Sequence, residues 1–545
     1  MNYKFSELTK RKTETNKQNY IQQDFYSNLE SIDKDLSCQK LTINERKQVL
    51  LKAIILLISG MVTALSMPGF NLCVLPWFGF IPLISTLILE KSLNRSLLYS
   101  YSYGFGFYAL SLNWFLALHP LNWLGLNNIQ SIILSVSVWF VITAYLSCYT
   151  MLFGLFARTF LNLNAGYFLK SVIIALCWVI IMNKLTSIGQ FAFPWALIEY
   201  SQFKNLNLLQ IAQYIGGIGI GFLILFYNSF MSLIFTDFIK KKLTTLSLIK
   251  NTACILSFVI SFHIIGLIIL NNDNSVKTSF TATIIQNNST LAQKADESTN
   301  LASIKQSYLS KIHDSPSGII VIPEVAVYDY IRYKDRNFFN NLDKISRLQD
   351  KTILIGALDI LYNYDGKSVP TNSAIITDKQ LPLLVENTYN KQVLVPFGEF
   401  IPFRKALPTA FNNFINKIAG TDFYPDNQTK VFKTNIGNIA PTICYEIVFP
   451  DLTRKQAKKQ ADILVNLSSL CWYHDSIIKD QFIAFGVMRA AEYRKPYIIA
   501  VNTGHSVFIN YNGKILKQFP KNKAVTESIK MNYCNDKTFY SQLFI

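Results

Sequence analysis

Glu324, Lys391 and Cys444 are the residues whose side-chain types could together carry out acyl transfer. A cysteine attacks a carbonyl as the thiolate, and a nearby carboxylate can take the thiol proton and return it to the leaving group. A lysine ammonium can stabilise the oxyanion of a tetrahedral intermediate and also favours the thiolate. The set therefore predicts a covalent mechanism with Cys444 as nucleophile, Glu324 as general base and Lys391 as oxyanion partner.

The elements around these residues put two of them at predicted strand ends. Cys444 follows the apolar run 439–443, and Glu324 follows the run 318–323. A side chain at the carboxyl end of a strand lies at the rim of its sheet, where a reacting group is accessible. Lys391 lies in an apolar stretch interrupted by Pro and Gly, where an unpaired ammonium would be costly to bury. Taken singly, the three residues have structural alternatives: a buried small cysteine, a carboxylate that caps a turn and a surface lysine.

The second half of the chain has the pattern of an α/β domain. From residue 278 onward, short β-rich runs alternate with polar stretches of helical character, which predicts an internal sheet. The runs are 280–286, 318–323, 352–357, 439–444, 463–467, 497–502 and 506–510. We assign this domain to residues 271–535, followed by a short C-terminal segment at 536–545.

The first half of the chain is apolar enough for a membrane domain. Half of the 545 residues are hydrophobic and only 16% are charged, which is unusual for a soluble protein of this length. Roughly 20 apolar residues span a bilayer, and the candidate runs are 49–67, 72–90, 97–118, 127–153, 168–186, 207–236 and 251–270. We therefore predict a polar cytoplasmic tail at 1–48 and a membrane domain of about seven helices at 49–270. A re-entrant hairpin at 68–71 is the alternative for the first two runs.

Basic residues in the loops predict the orientation, because Lys and Arg accumulate on the cytoplasmic side of short loops. With the N-terminus inside, the inner loops hold eight basic residues and the outer loops hold only Lys184 and Lys204. The α/β domain then lies on the outer face, which is the periplasmic side of the inner membrane if the cell is a Gram-negative bacterium. We attribute the net charge of +18 to basic residues that orient the protein in the membrane, and not to nucleic-acid binding. No basic cluster accompanies a nucleic-acid motif.

The cysteines and histidines indicate neither a metal site nor a disulfide framework. The eight cysteines and five histidines lack metal-ligand spacing. We expect no metal and no organic cofactor, because acyl transfer through a cysteine needs only a nucleophile, a proton shuttle and oxyanion stabilisation.

Motifs around the three reactive residues resemble the apolipoprotein N-acyltransferase family of the nitrilase superfamily. They are Pro-Glu at 323–324, Tyr-Asn-Lys-x-x-Leu-Val-Pro-Phe-Gly-Glu at 389–399 and Ile-Cys-Tyr-Glu at 443–446. Similar motifs in the membrane half are Gly-Phe-Gly-Phe at 104–107, Leu-Asn-Trp at 112–114, Phe-Pro-Trp at 193–195 and Tyr-Ile-Gly-Gly at 214–217. The resemblance covers roughly residues 50 to 542, and its longest motif is highly specific.

The resemblance implies a membrane-anchored αββα sandwich of the nitrilase type with a Glu-Lys-Cys triad. The implied reaction takes a fatty acyl group from the sn-1 position of a phospholipid onto Cys444. The acyl group then passes to the N-terminal amine of a diacylglyceryl-modified cysteine on an apolipoprotein, which is the last step of lipoprotein maturation. By the same resemblance, six further residues bind substrate or support the site: Glu399, Tyr445, Glu446, Arg489, Glu492 and Asn502.

Two features depart from the family pattern. The family loop usually reads Ser-Asn-Asp-Ala-Trp-Phe, whereas residues 468–473 read Ser-Ser-Leu-Cys-Trp-Tyr. Ser469 and Leu470 thus replace two polar residues, and Cys471 could form a disulfide with Cys444 in an oxidising compartment. The family also usually has a last membrane helix where this chain stops, so we expect a missing second anchor, and a truncated gene product is an alternative.

Two alternative functions and a possible lipid-gating segment also follow from the sequence. A membrane-tethered amidase, in which water resolves the thioester, and a catalytically inactive protein of the same fold are the alternatives. The apolar stretch 400–403, with Leu407, Phe411, Phe414 and Ile415, predicts an interfacial arm that gates lipid entry. An ordinary amphipathic helix packed on the domain is the alternative for this stretch.

Overall fold

The structure is a computed structural model of the chain. It describes residues 42–122, 125–273, 276–289, 300–330, 335–362, 366–381, 387–409, 412 and 422–543. The predicted cytoplasmic tail therefore lies outside the described residues, apart from its last few positions.

The first half of the described chain is helical. Its helices are α1 (Ile43–Ala64), α2 (Pro76–Gly79), α3 (Ile81–Leu89), α4 (Leu93–Ser111), α5 (Asn128–Leu161), α6 (Tyr167–Val179), α7 (Leu206–Leu209), α8 (Ala212–Ile239) and α9 (Thr245–Asn271). Single turns of other helix types occur at Asn113–Leu118, Ile180–Lys184, Leu185–Ser187 and Ile198–Gln202. Each of the seven predicted apolar runs overlaps one or more of these helices.

Five of these helical segments are long and apolar enough to cross a membrane: Ile43–Ala64, Asn128–Leu161, Tyr167–Ser187, Ala212–Ile239 and Thr245–Asn271. The segment Pro76–Leu89 is shorter, and at about 1.5 Å per residue it is too short for a hydrocarbon core of about 30 Å. The hairpin alternative for the second run thus remains open, and the number of crossings stays a prediction.

Small residues determine how closely the first helices pack. A Cβ at Gly60 of α1 would lie 2.0 Å from the Tyr103 carbonyl oxygen, and one at Gly106 of α4 would lie 1.9 Å from the Leu57 carbonyl oxygen. Glycine at both positions therefore lets the backbones of α1 and α4 approach each other, which is how membrane helices often associate.

The second half of the described chain contains two six-stranded sheets. Sheet A has the order β12-β1-β2-β3-β4-β5 and sheet B has the order β11-β10-β9-β8-β7-β6. The strands are β1 (Val276–Gln286), β2 (Gly318–Val327), β3 (Lys351–Tyr362), β4 (Ser368–Thr377), β5 (Thr388–Asn390), β6 (Phe432–Thr434), β7 (Gly437–Ile443), β8 (Ile463–Ser468), β9 (Tyr497–Val501), β10 (Val507–Ile509), β11 (Ile515–Gln518) and β12 (Val525–Cys534).

The sheets pack face to face with helices outside, which confirms the αββα sandwich. The remaining helices are α10 (Asn300–Asp314), α11 (Arg336–Leu348), α12 (Pro450–Lys458), α13 (Ile478–Tyr493) and α14 (Phe539–Gln542). Side chains of both sheets, such as Leu354 and Val465, share one buried cluster. Helices α10 and α11 cover the outer face of sheet A. Helix α13 covers sheet B and also belongs to the cluster formed by the membrane helices.

Candidate active site

Glu324 lies in β2 at an irregularity that turns the backbone. The β2–β3 register shifts between Ile322 and Val327, and Val325 has a φ of +41°. A Cβ at Gly356 on the neighbouring strand would lie 2.6 Å from the Glu324 Cα, so only glycine allows this close approach. The irregularity holds the Glu324 side chain in a buried position, with 6% exposure.

Lys391 follows β5 and is completely buried, yet its ammonium is paired. Its Nζ donates to Glu399 Oε1 at 2.8 Å and to Glu324 Oε1 at 3.4 Å. The Asn372 side-chain amide donates to the same two oxygens, at 2.7 Å for Glu324 and 3.0 Å for Glu399. Burial alone would lower the pKa of Lys391, but the charges of Glu399 and Glu324 raise it above its ordinary value. The ammonium is therefore held protonated between two carboxylates.

Backbone N–H groups bind the second oxygen of each carboxylate. The Ser469 N–H donates to Glu324 Oε2 at 2.8 Å, and the Val395 N–H donates to Glu399 Oε2 at 2.8 Å. Both carboxylates are thus oriented by donors on each oxygen, as an aligned general base requires.

Cys444 directly follows β7 and has a strained backbone. Its φ is +49°, in the left-handed region that residues other than glycine seldom adopt. The Cys444 carbonyl oxygen accepts a hydrogen bond from the Asn466 side-chain amide at 3.2 Å. Burial and the charge of Glu324 raise the pKa of the Cys444 thiol well above its ordinary value, whereas Lys391 and the Ser469 N–H lower it. The thiol therefore needs a base to become a nucleophile.

Glu446 joins the segment that carries Lys391 to the strand that carries Cys444. It is fully buried, and burial raises its pKa to about 7 although its hydrogen bonds act in the opposite direction. Its oxygens accept four hydrogen bonds, from the Gln392 N–H at 2.6 Å, the Ile443 N–H at 2.7 Å, the Tyr389 hydroxyl at 2.8 Å and the Val393 N–H at 3.1 Å. Its contacts are those of a residue that positions the site.

Tyr445 connects the sandwich to the membrane helices. Its hydroxyl donates to the Ala192 carbonyl oxygen at 2.6 Å. Its ring is nearly parallel to those of Phe193 and Trp195, with centroids 6.1 and 6.2 Å away. The residue next to Cys444 thus contacts the loop that follows the Tyr167–Ser187 segment.

Arg489, Glu492 and Asn502 form their hydrogen bonds and ion pairs outside the cluster of Glu324, Lys391 and Cys444. Arg489 pairs with Glu492 at 3.1 Å, and Glu492 accepts the Gly217 N–H of α8 at 2.7 Å. The Asn502 side chain donates to the Ser289 carbonyl oxygen at 2.6 Å and accepts the Ser289 N–H at 3.1 Å. The first two thus connect α13 to α8.

Asn372 and the Ser469 N–H were not predicted as site groups from the sequence. Asn372 reaches the site through the pairing of β4 with β5, which no local pattern indicates. Ser469 contributes its backbone, so the family departure at this position leaves that contact intact, and Leu470 is buried with 1% exposure. Cys444 and Cys471 are both free thiols. Among the described residues, no group of three or more His, Cys, Asp or Glu side chains could hold a metal ion.

A cavity of about 450 Å³ lies beside the segment that follows Lys391. Its lining includes Gln190 and Ala192 from the membrane half, and Val393 and Phe400 from the sandwich. Aromatic rings from both halves of the chain also pack together. The Phe191 ring centroid lies 6.1 Å from that of Phe397 and 5.6 Å from that of Phe403. Of the predicted arm, Ile401 is buried and Phe403 is 54% exposed. Phe411, Phe414 and Ile415 lie outside the described residues, so the arm remains a prediction.

Comparisons with known proteins give one consistent family. Residues 281–536 match the carbon-nitrogen hydrolase family, and residues 59–230 match the apolipoprotein N-acyltransferase N-terminal domain. An apolipoprotein N-acyltransferase of Wigglesworthia glossinidia brevipalpis is 30% identical over 79% of this chain and 82% of its own length. Proteins of the same name from Haemophilus ducreyi and Haemophilus influenzae are 24% and 27% identical, over 91% and 90% of this chain and 93% and 91% of their own lengths.

Proposed function

The chain belongs to the apolipoprotein N-acyltransferase family, and on that basis we propose that it acylates lipoproteins at a membrane. The donor is a phospholipid, and the acceptor is the N-terminal amino group of a diacylglyceryl-modified cysteine. The observation that carries the proposal is the surroundings of Cys444. The charges of the buried Glu324–Lys391–Glu399 cluster act on the Cys444 thiol, and the hydroxyl of the next residue bonds to the loop of the membrane half at Ala192.

The first half-reaction forms a thioester. Glu324 takes the proton of the Cys444 thiol as the sulfur attacks the ester carbonyl of the donor, and a carbon–sulfur bond forms. Lys391 stabilises the oxyanion of the resulting tetrahedral intermediate. When the intermediate collapses, the ester carbon–oxygen bond breaks and Glu324 returns its proton to the oxygen of the departing lysophospholipid.

The second half-reaction transfers the acyl group to nitrogen. The lipoprotein amine attacks the thioester carbonyl, Glu324 takes a proton from the attacking nitrogen, and the Cys444 sulfur departs and regains a proton. The product is an amide, which is more stable than the original ester, so the two half-reactions proceed without a cofactor. Glu399 and Asn372 hold Lys391 and Glu324 in place during both halves. Glu399 accepts a hydrogen bond from Lys391, and the Asn372 amide donates to both Glu324 and Glu399.

The raised pKa of the thiol supports this division of roles. Burial and Glu324 keep Cys444 protonated in the resting protein, so the thiolate arises only as the proton moves to Glu324. A resting thiol is also less exposed to side reactions in an oxidising compartment. We place the sandwich on the periplasmic side of the inner membrane, because the loops with excess basic residues then lie in the cytoplasm.

The experiment is acyl transfer with purified protein in detergent. The parent protein, Cys444→Ala and Cys148→Ala are incubated with a phospholipid carrying a labelled sn-1 chain and a synthetic diacylglyceryl-cysteine peptide. We expect acylated peptide from the parent and from Cys148→Ala, whose cysteine lies on the exposed side of α5, and none from Cys444→Ala. Release of free labelled fatty acid with an unmodified peptide would contradict the proposal and indicate a hydrolase.

A further inference from the structure

Helix α12 of the sandwich lies beside the end of a membrane-spanning segment. Asp451 in its first turn contacts Lys184, with 3.9 Å between the carboxylate oxygen and the ammonium nitrogen. Lys184 lies near the end of the Tyr167–Ser187 segment, and the loop that follows this segment bonds to the sandwich at Tyr445. An exposed ion pair of this length adds little stability, but it places α12 close to the membrane surface.

The exposed face of α12 is turned towards the end of that segment. The buried residues of the helix pack on the sandwich: Leu452, Thr453 and Gln456. Asp451, Lys455 and Lys458 are exposed, and at positions i, i+4 and i+7 they form one stripe along the helix. Because Asp451 contacts Lys184, the stripe lies on the side of the helix that faces the membrane.

This face carries an excess of positive charge. The Arg454 guanidinium donates to the Asp451 carboxylate at 2.8 Å, so this carboxylate is shared between Arg454 and Lys184. Lys455 and Lys458 follow in the last turn of the helix. We call Lys184, Arg454, Lys455 and Lys458 the α12 patch. Its cations outnumber the one carboxylate that they surround, so the patch is positively charged beside the membrane.

Helix α14 brings an exposed aromatic side chain to the same region. It packs against α12, and the Tyr540 ring fills the space that a Cβ would need at Gly216, near the start of the membrane helix α8. The neighbouring Phe539 is 58% exposed. Aromatic side chains are enriched at the boundary between membrane and water. Helices α12 and α14 together therefore present cations and an aromatic ring at the level of the lipid headgroups.

We propose that the α12 patch binds the headgroups of anionic phospholipids, in the membrane leaflet on the side of the sandwich. Lysine and arginine side chains beside a membrane are attracted to anionic headgroups, and the patch stands where such headgroups lie. The contact holds the sandwich against the bilayer. It goes beyond the proposed acyl transfer and does not depend on it, because the patch contains none of the reacting residues.

The test is photo-crosslinking of the full chain in phosphatidylcholine vesicles that contain a small fraction of a photoreactive lipid. The probe is phosphatidylglycerol or phosphatidylcholine with the same photoreactive group in the headgroup region, and adducts are assigned to peptides by mass spectrometry. The parent is compared with Lys455→Gln/Lys458→Gln and with the control Lys344→Gln/Lys379→Gln. Both control lysines are exposed, and they lie at α11 on the outer face of sheet A, away from the membrane half.

We expect the phosphatidylglycerol probe to label α12 more than the phosphatidylcholine probe does in the parent. Each lysine beside an anionic surface strengthens binding roughly fivefold, so adducts on α12 should fall roughly 25-fold in Lys455→Gln/Lys458→Gln at limiting probe. The control should match the parent, and adducts on the membrane helices should be equal in all three proteins. Lys455→Arg/Lys458→Arg keeps the charge and should keep the adducts, which separates loss of charge from a folding defect.

Equal labelling of α12 by the two probes in the parent would overturn the inference, because the contact would then not depend on headgroup charge. Unchanged adducts in Lys455→Gln/Lys458→Gln would also overturn it. Loss of the adducts in Lys455→Arg/Lys458→Arg would overturn it too, since the lysine shape and not the charge would matter. Displacement of the probe by a soluble acidic peptide, but not by unlabelled phosphatidylglycerol, would assign the patch to a protein partner instead.

Discussion

The ionisation of Cys444 is governed by a balance of neighbouring charges. Burial, Glu324 and Glu399 raise the pKa of the thiol, and Lys391 and the Ser469 N–H lower it. Burial is the largest of these causes, and the carboxylates add to it because Lys391 is shared between both of them. One lysine charge therefore faces two carboxylate charges, and the thiol remains protonated.

Neutralising Glu399 should lower the pKa of the Cys444 thiol. In Glu399→Gln one negative charge near the sulfur is removed, so the thiolate forms at lower pH. The measurement is the pH dependence of Cys444 alkylation in the absence of lipid, with Cys471 replaced by Ala in every protein. Glu527→Gln serves as the control, because Glu527 lies on β12 and pairs with Lys517. A thiol pKa that stays the same or rises in Glu399→Gln would contradict this balance.

The residues proposed to react could be named from the sequence, but how they are held could not. Glu324, Lys391, Cys444 and Glu399 stand in short motifs that carry chemical information. The positive φ of Cys444 could not be predicted, because cysteine has no preference for that conformation and only the surrounding fold imposes it. The hydrogen bond from Asn372 to Glu324 could not be predicted either, because the pairing of β4 with β5 brings Asn372 to the site.

Among the elements, α13 links the sandwich to the membrane helices. The Gln481 side-chain amide donates to the Ser111 carbonyl oxygen at 2.9 Å, and its oxygen accepts the Trp195 indole N–H at 2.6 Å. Trp195 stacks near Tyr445, which follows Cys444. Gln481 therefore connects Ser111 and Trp195 of the membrane half to α13 of the sandwich.

Replacing Gln481 by Leu should weaken this connection. Gln481→Leu leaves the Ser111 carbonyl and the Trp195 N–H without partners, and each buried unpaired group costs about 1–3 kcal/mol. We expect a clearly lower Tm in detergent together with slower thioester formation. Gln518→Leu is the control, because Gln518 is exposed on β11. Equal Tm values for the two variants would contradict the role assigned to Gln481.

The strands that the sequence predicted are those with apolar runs. Seven predicted runs lie within or overlap β1, β2, β3, β7, β8, β9 and β10. The pattern did not predict β4, because its buried residues include Thr371, Asn372 and Ser373, which face the site or bond to one another. It did not predict β12, an edge strand whose exposed positions alternate with partly buried ones and carry polar side chains.

At the scale of the whole molecule, the chain is a membrane protein with a nitrilase-type domain. Helix α9 has only Ile255 and Gly266 buried within the chain, so most of its apolar surface needs lipid around it. Helix α8, in contrast, is packed on many sides by other helices and by α13. This difference could not be predicted, because both helices are apolar all round and only tertiary packing distinguishes them.

The predicted orientation can be tested with single cysteines introduced into exposed positions. Lys91→Cys and Lys241→Cys should resist a membrane-impermeant maleimide applied from the periplasm, because basic loops remain in the cytoplasm. Lys523→Cys, between β11 and β12, should react under the same conditions. The native cysteines are replaced beforehand, and permeabilised cells give the full labelling level. Periplasmic labelling at Lys91→Cys or Lys241→Cys would reverse the orientation.

In the proposed mechanism, Cys444 carries the acyl group as a thioester. The most direct test is intact-protein mass spectrometry of the purified protein after incubation with phospholipid alone, in parallel with Cys444→Ala. We expect a mass increase of one fatty acyl group on the parent, lost on treatment with hydroxylamine, and no increase on Cys444→Ala. Folded parent protein with a reduced Cys444 that gains no acyl group would contradict the proposed mechanism.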